Sequence, residues 1–239
     1  MKKSLLVVAL LSAFAPMVAQ AEAGDIVVRL RAAYVNPDEK SRLGETVNSL
    51  ALDSQNVMTN DANLSVGNNT IPELDISYYI TKNIAAELIL AVGTKHNVSV
   101  VGDSGTASAV DVGNQYLGKV NLLPPTLTAQ WHFNPDQMID PYVGAGFNYT
   151  NSLDRKLTFS AGTLNTNDIR IDRSMFGLVA QAGVDVNLGS GWLINADVKY
   201  INVSTDVKER AAGSSAAWTK IDKLDINPWV FGVGIGKRF

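Results

Sequence analysis

The chain has 239 residues, 46% of them hydrophobic, a net charge of −3, a pI near 5.4 and a mean hydropathy of +0.05. This is one domain's worth of sequence with average hydrophobicity, and no basic surface is expected for nucleic acid or an anionic membrane. Cysteine is absent, which excludes structural disulfides, thiolate metal sites and a cysteine nucleophile.

The chain opens with a basic Lys2-Lys3 pair and an apolar run from Leu5 to Leu11, followed by Ala19-Gln20-Ala21. This is the pattern of a secretory signal peptide, expected over residues 1–21 with cleavage after Ala21 and Ala23 as second choice. Ser12, Pro16 and Gln20 interrupt the run short of the ~20 residues that a spanning helix needs. No later segment is apolar over that length, so residues 22–239 either are soluble or cross a membrane as strands.

From there the apolar residues recur with a period of two rather than 3.6. The sequence predicts eight strands. Val28, Leu30, Ala32 and Tyr34 share one face of the first, and Leu74, Ile76, Tyr78 and Ile80 one face of the second. Ile84 to Val92, Leu127 to Phe133, and Val143 to Tyr149 alternate in the same way, as do Phe176 to Val186, Trp192 to Tyr200, and Trp229 to Ile235. Each is about the length a tilted strand needs to cross a bilayer. A soluble sandwich also alternates, so the connections decide. Residues 81–83, 134–140 and 189–191 are short turns. The gaps at roughly 37–70, 97–115, 151–172 and 206–222 are long and rich in Asn, Asp, Ser, Gly and Thr. Strict alternation of short and long connections is the pattern of an all-β, eight-stranded antiparallel transmembrane barrel with periplasmic turns and extracellular loops. Trp131, Phe133 and Trp192 fall beside the short turns, and Tyr34, Tyr149, Tyr200 and Trp229 beside the long loops, as two aromatic girdles would. The bacterial outer membrane is the expected location. The terminal Phe239, in step with Trp229, Phe231, Val233 and Ile235, resembles the signal by which barrel-assembly machinery recognises its clients, although Lys237 stands where an aromatic is usual.

Four stretches resemble the OmpW family of outer-membrane proteins: residues 83–88 (NIAAEL), 123–131 (LPPTLTAQW), 141–150 (PYVGAGFNYT) and 225–230 (DINPWV). They occur in family order, and the resemblance spans the whole mature chain. It implies an eight-stranded barrel with a narrow, largely hydrophobic interior, proposed to pass small hydrophobic molecules. It also implies a constriction where the family often carries Trp before the Tyr of the seventh strand. That position is Lys199 here, while the facing aliphatic is retained as Ile89. The first loop, around Asn48 to Asn69, is longer and more polar than the family pattern.

Parity places Arg29, Arg31, Glu73, Asp75, Glu87, Asp185, Asp197 and Lys199 on the inner face, with Gln130 and the aliphatics Val35, Ile89, Val179, Leu193, Ile226 and Val230. Buried charges must pair or meet water, and Lys199 is expected to pair with Glu87 or Asp197. These residues read either as a salt-bridge network filling the barrel or as a polar track for solute. An eight-stranded barrel has room for side chains or one small ligand, and size does not choose between them. Arg29, Arg31, Glu87, Ile89, Gln130, Asp197 and Lys199 are the candidate lining of the lumen and its constriction. The glycine runs 144–146 and 232–236 resemble phosphate-cradling loops, but neither sits in a strand-to-helix turn. Small residues inside a tight barrel explain them better. His96 is expected where the third strand runs out into a loop, and His132 among polar lumen neighbours. Neither shows ligand spacing, so no metal and no cofactor are expected.

The sequence therefore reads as a barrel for passive translocation of small hydrophobic or amphiphilic molecules, embedded in outer-membrane lipid. A surface receptor or adhesin acting through the long loops is the alternative. An enzyme acting on lipid would need an outward Ser or His cluster, and the apolar outer face carries none. An internal ligand would favour transport, and a solid salt-bridge plug the receptor or scaffold reading.

Overall fold

The computed structural model describes residues 22–50, 59–102, 115–161 and 165–239, without the side chains of 160–166. The expected signal peptide lies outside the described residues. In chain order, β1 spans Ile26–Asn36, followed by the short helix α1, Leu43–Ser49. Then come β2 (Asn63–Val66), β3 (Asn69–Tyr79), β4 (Ile84–Ala91), β5 (Thr94–Val101) and β6 (Tyr116–Leu123). They are followed by β7 (Thr126–His132), β8 (Ile139–Asp154), β9 (Lys156–Ala161) and β10 (Asn165–Ile171). The last are β11 (Ser174–Gly189), β12 (Trp192–Asn202), β13 (Ser204–Ala211), β14 (Thr219–Asp225) and β15 (Trp229–Arg238). Among the described residues no helix is long and apolar enough to cross a membrane.

Eight strands form the wall, in the ring β1-β3-β4-β7-β8-β11-β12-β15, every neighbour antiparallel. The ring closes where β15 returns to β1, from Val27↔Arg238 to Asn36↔Trp229. At the seam Phe239 N donates to Ile26 O at 2.8 Å, and Ile26 N donates to Phe239 O at 3.1 Å. A closed ring has no free edge, so every wall strand finds two partners. The eight strands are those that the period-two pattern predicts. The turn Gly189-Ser190-Gly191 is tight enough to put all three residues at positive φ, which suits the two glycines there.

The alternation sorts side chains as parity requires. Leu30, Leu127, Phe147, Phe176, Leu178, Phe231 and Val233 face outward and are about half exposed, as a lipid-facing surface must be. Phe147 and Phe176 stack at 5.5 Å, and Tyr200 and Trp229 at 5.0 Å, toward the ends of the wall beyond which the long connections begin. Leu88, paired with Ile76 and Leu127, lies midway between the 81–83 turn and the upper end of β4. Leu88→Arg is therefore expected to cost about 2–4 kcal/mol. Leu178→Arg, beside the Phe147–Phe176 pair, should cost less. Inward Gln181→Arg should be milder still, since Gln181 already faces the carboxylates of Glu87 and Asp197. Urea unfolding of the barrel in lipid vesicles, one variant at a time, gives the order.

The long connections differ from the expected polar loops. They carry strands of their own. β5 and β6 pair as a hairpin, β2 adds to β5, and β6 joins the top of β8. A separate four-stranded sheet has the order β14-β13-β10-β9. The wall thus continues past the membrane with an apolar inner face, made by Leu64, Val66, Val98, Val120, Leu157, Ile171, Val207 and Leu224. Helix α1 tucks Leu43 and Val47 into the same core.

Candidate functional site

The barrel interior has two halves of opposite chemistry. The half toward the short turns is filled by an ion-pair network. Arg29 sends Nε and Nη2 to the two oxygens of Asp185, at 3.2 and 2.5 Å, and Nη1 to Ser77 Oγ at 2.6 Å. Arg31 faces four carboxylates: Asp75 at 2.5 Å, Glu73 at 2.9 Å, Glu87 at 3.4 Å and Asp197 at 3.6 Å. Neighbouring strands set this up, because register puts Arg29 opposite Asp75 and Arg31 opposite Glu73. Gln130 and Gln181 donate to Glu87 Oε2 at 2.7 and 2.9 Å, and Gln181 also to Asp197 at 2.8 Å. Tyr142 donates its hydroxyl to Asp197 at 3.1 Å. All of these groups are buried. Inner glycines make the space: a Cβ at Gly236 would meet Arg29 Cγ at 2.9 Å, and one at Gly183 would run into the Tyr142 ring. The glycine runs are thus packing features of a crowded lumen.

Lys199 tops the network. Its ammonium lies 2.6 Å from Asp197 and 2.9 Å from Glu73. Of its expected partners Asp197 is present. Glu87 is not, because that carboxylate is taken by Arg29, Arg31, Gln130 and Gln181. The candidate lining residues all come together: Arg29, Arg31, Glu87, Gln130 and Asp197 within the plug, Ile89 and Lys199 at its upper surface. Asp75 takes no well-angled hydrogen bond, so Arg31 Nε is its main compensation.

Above the plug lies a chamber of about 1080 Å³, counting its part open to solvent. Glu73 and Lys199 form its charged floor. The walls are overwhelmingly aliphatic and draw equally on barrel strands (Ile71, Ile89, Val230) and on the extension (Val66, Val98, Val207). Polarity period alone could not reveal this volume, because its upper wall is built from segments whose outward faces are rich in Asn, Lys and Asp.

The wall beside the chamber has a break. The β4–β7 ladder ends at Ile89↔Thr126, and the β5–β6 ladder resumes at Thr94↔Leu122. Between them Leu90 to Gly93 face Leu123, Pro124 and Pro125 with no ladder pair. Pro124 and Pro125 have no N–H to donate, so they terminate the pairing. Ala91 and Pro124 line the chamber at this gap, with Val92 and Leu123 exposed outside it.

The two histidines have different settings. His96 sits in β5 rather than in a loop, buried, with Nδ1 at 2.8 Å from Gly67 O. Neutral imidazole donates Nδ1–H to that carbonyl. Burial lowers its pKa below the ordinary 6.5, outweighing the carbonyl bond. The unfolded chain then binds more protons near pH 6, so this contribution to stability is present above about pH 6.5 and is lost as pH falls toward the folded pKa. Hydrogen exchange at β2 and β5 should accelerate on acidification, and His96→Gln should flatten that dependence. His132 lies at the far end, with Nδ1 2.7 Å from Asp140 and Tyr79 Oη 3.2 Å away. His132, Asp140 and Asp185 could converge on a metal ion. Their donors are already engaged, Asp185 by Arg29 and Asn195 and Asp140 by Asn134 N, so a cation there would have to displace a guanidinium.

Comparison with known proteins follows the same lines. The sequence model of the OmpW family matches residues 22–239. Outer membrane protein W of Vibrio cholerae is 33% identical over 242 residues, covering 100% of both chains. The crystal structure of the outer membrane protein OprG from Pseudomonas aeruginosa superposes with a TM-score of 0.70 at 24% identity, over 91% of this chain and 97% of that one. The solid-state NMR structure of the outer membrane protein AlkL gives a TM-score of 0.61 at 23% identity, over 92% of each chain. The two solved structures share the closed eight-stranded barrel, and the family model over residues 22–239 with the full-length Vibrio cholerae match shows that this chain is an outer-membrane protein of the OmpW family.

Proposed function

We propose that the protein admits small apolar or amphiphilic molecules to the chamber and releases them sideways into the membrane through the gap between β4 and β7. The observation that carries this reading is the chamber itself: an apolar volume held above a charged floor. A ligand with a hydrocarbon body gains about 25 cal/mol for each Å² it buries there. The plug argues against an axial route, since a solute would have to part Arg29, Arg31 and Lys199 from their carboxylates. The gap offers a route that leaves those pairs intact.

The test is entry of the apolar dye N-phenylnaphthylamine into cells with an intact lipopolysaccharide leaflet. Fluorescence should rise faster in cells making the protein than in cells lacking it. Equal rates would overturn the reading. They would favour the second one, a closed scaffold or receptor acting through its extracellular strands, which the plug by itself supports.

The floor should tune selectivity. Lys199→Trp, which leaves Glu73 and Asp197 with Arg31 at 2.9 and 3.6 Å, is expected to raise the entry rate of apolar over zwitterionic probes several-fold. Unchanged selectivity in a folded barrel would remove Lys199 from the path. Phe239, exposed and paired with Ile26 at the seam, fits recognition by barrel-assembly machinery. Its deletion should lower the folded yield in cells.

A further inference from the structure

The outward face of the four-stranded extracellular sheet is unevenly compensated. Register sets Lys156, Arg170, Lys208 and Lys220 directly opposite one another on β9, β10, β13 and β14. Like charges in such positions repel unless something neutralises them. On the β13–β14 side each cation has an acid: Lys208 with Asp172 at 2.7 Å, Lys220 with Asp206 at 2.6 Å, Arg210 with Asp168 at 3.7 Å and Lys223 with Asp225 at 3.7 Å.

The β9–β10 side is different. Lys156 and Arg173 are exposed and have no side-chain partner among the described residues. Arg155 has only the Ile171 carbonyl at 3.5 Å among the described residues. Arg170 lies 4.0 Å over the Trp218 ring and has no carboxylate within salt-bridge distance among the described residues. Desolvation, together with the neighbouring Arg155 and Arg210, lowers the Arg170 pKa, and Asp172 offsets this only in part. Asp172 is occupied by Lys208, and Asp154 accepts from the Lys156 amide.

Their height matters. Arg173 is three residues above the outward Phe176, and Arg170 six. With ~3.3 Å per residue and a ~40° tilt, they stand roughly 8 and 15 Å beyond that ring. This is the layer just outside the acyl chains, where the phosphates of the outer leaflet's glycolipid lie.

We propose that Arg155, Lys156, Arg170 and Arg173 form a binding site for the phosphate groups of lipopolysaccharide in the surrounding leaflet. Three guanidinium forks and one ammonium suit phosphate oxygens, which Arg grips bidentately. The site anchors the extracellular extension to the lipid around it and is separate from the chamber.

The test uses the full mature barrel in nanodiscs, with bis-phosphorylated lipid A, dephosphorylated lipid A and a heparin fragment as probes. Native mass spectrometry reads the lipid retained. Wild type should hold the phosphorylated form at least tenfold more tightly than the dephosphorylated one. The fourfold glutamine variant of Arg155, Lys156, Arg170 and Arg173 should lose that preference, while Lys220→Gln with Lys223→Gln keeps it. If the fourfold variant fails to fold by heat modifiability, Lys156→Gln and Arg173→Gln singly should each weaken retention two- to fivefold. Retention independent of phosphate, equal loss in the control pair, or binding of heparin without lipid A would each overturn the proposal.

Discussion

Replacing Arg31 by methionine is expected to destabilise the barrel by about 3–5 kcal/mol, the cost typical of breaking a buried ion pair from one side. Arg31 is the hub on which Glu73, Asp75, Glu87 and Asp197 converge. Without it Glu73 and Asp197 keep Lys199, and Glu87 keeps Arg29 at 3.6 Å. Asp75 keeps no cation within salt-bridge distance among the described residues. Its carboxylate would then sit fully buried and uncompensated, or take a proton. Adding Asp75→Asn to Arg31→Met should therefore recover part of the loss, so the two changes are non-additive. The measurement is urea unfolding in lipid vesicles, followed by tryptophan fluorescence and checked by heat modifiability. A cost below 1 kcal/mol would mean that water reaches the plug and solvates the freed acids. The lumen would then be wetter than its packing implies.

What the sequence disclosed and what it withheld have a common cause. A strand's side-chain period is local, so Arg29 and Arg31 can be assigned to the inside from Val28, Leu30 and Ala32 alone. Partners are not local. Lys199 meets Glu73 across 126 positions because β12 pairs with β15, β15 with β1, and β1 with β3. Three registers must be known before that contact can be named, and parity offers Glu87 as readily as Glu73. The extension was hidden for another reason. Val98 and Val100, or Ile169 and Ile171, alternate as any strand does, but their outward neighbours are Lys, Asn, Asp and Arg rather than lipid-facing aliphatics. Segments that are apolar on the inside and watery on the outside look like loops when judged against a membrane strand. His96 belongs to one of these segments, β5. Its burial follows from β2 lying beside β5, a pairing contributed by the first long connection. A net charge of −3 hides the cation cluster at Arg155, Lys156, Arg170 and Arg173, because only the β9–β10 register makes Lys156 and Arg170 neighbours.

The second large effect concerns the gap in the wall. Ala91 ends β4, faces inward and is buried, and it lines the chamber where the β4–β7 ladder has stopped. Its side chain is small and lines the chamber together with Pro124. Ala91→Trp would place an indole there, and entry of N-phenylnaphthylamine should fall at least tenfold, to near the rate of cells without the protein. The adjacent Leu90 points the other way and is partly exposed to lipid. Leu90→Trp puts the same bulk one residue away on the outer face, where an aromatic ring is tolerated. It should leave entry within twofold of wild type. The pair separates obstruction from damage: both variants must keep heat modifiability, and only the inward one should lose transport. Wild-type rates for Ala91→Trp would show that solute does not pass the β4–β7 gap and would move the exit elsewhere along the chamber wall. Equal loss for both would instead indicate that a Trp at this level disturbs the strand itself, since β4 holds only six ladder pairs with β7.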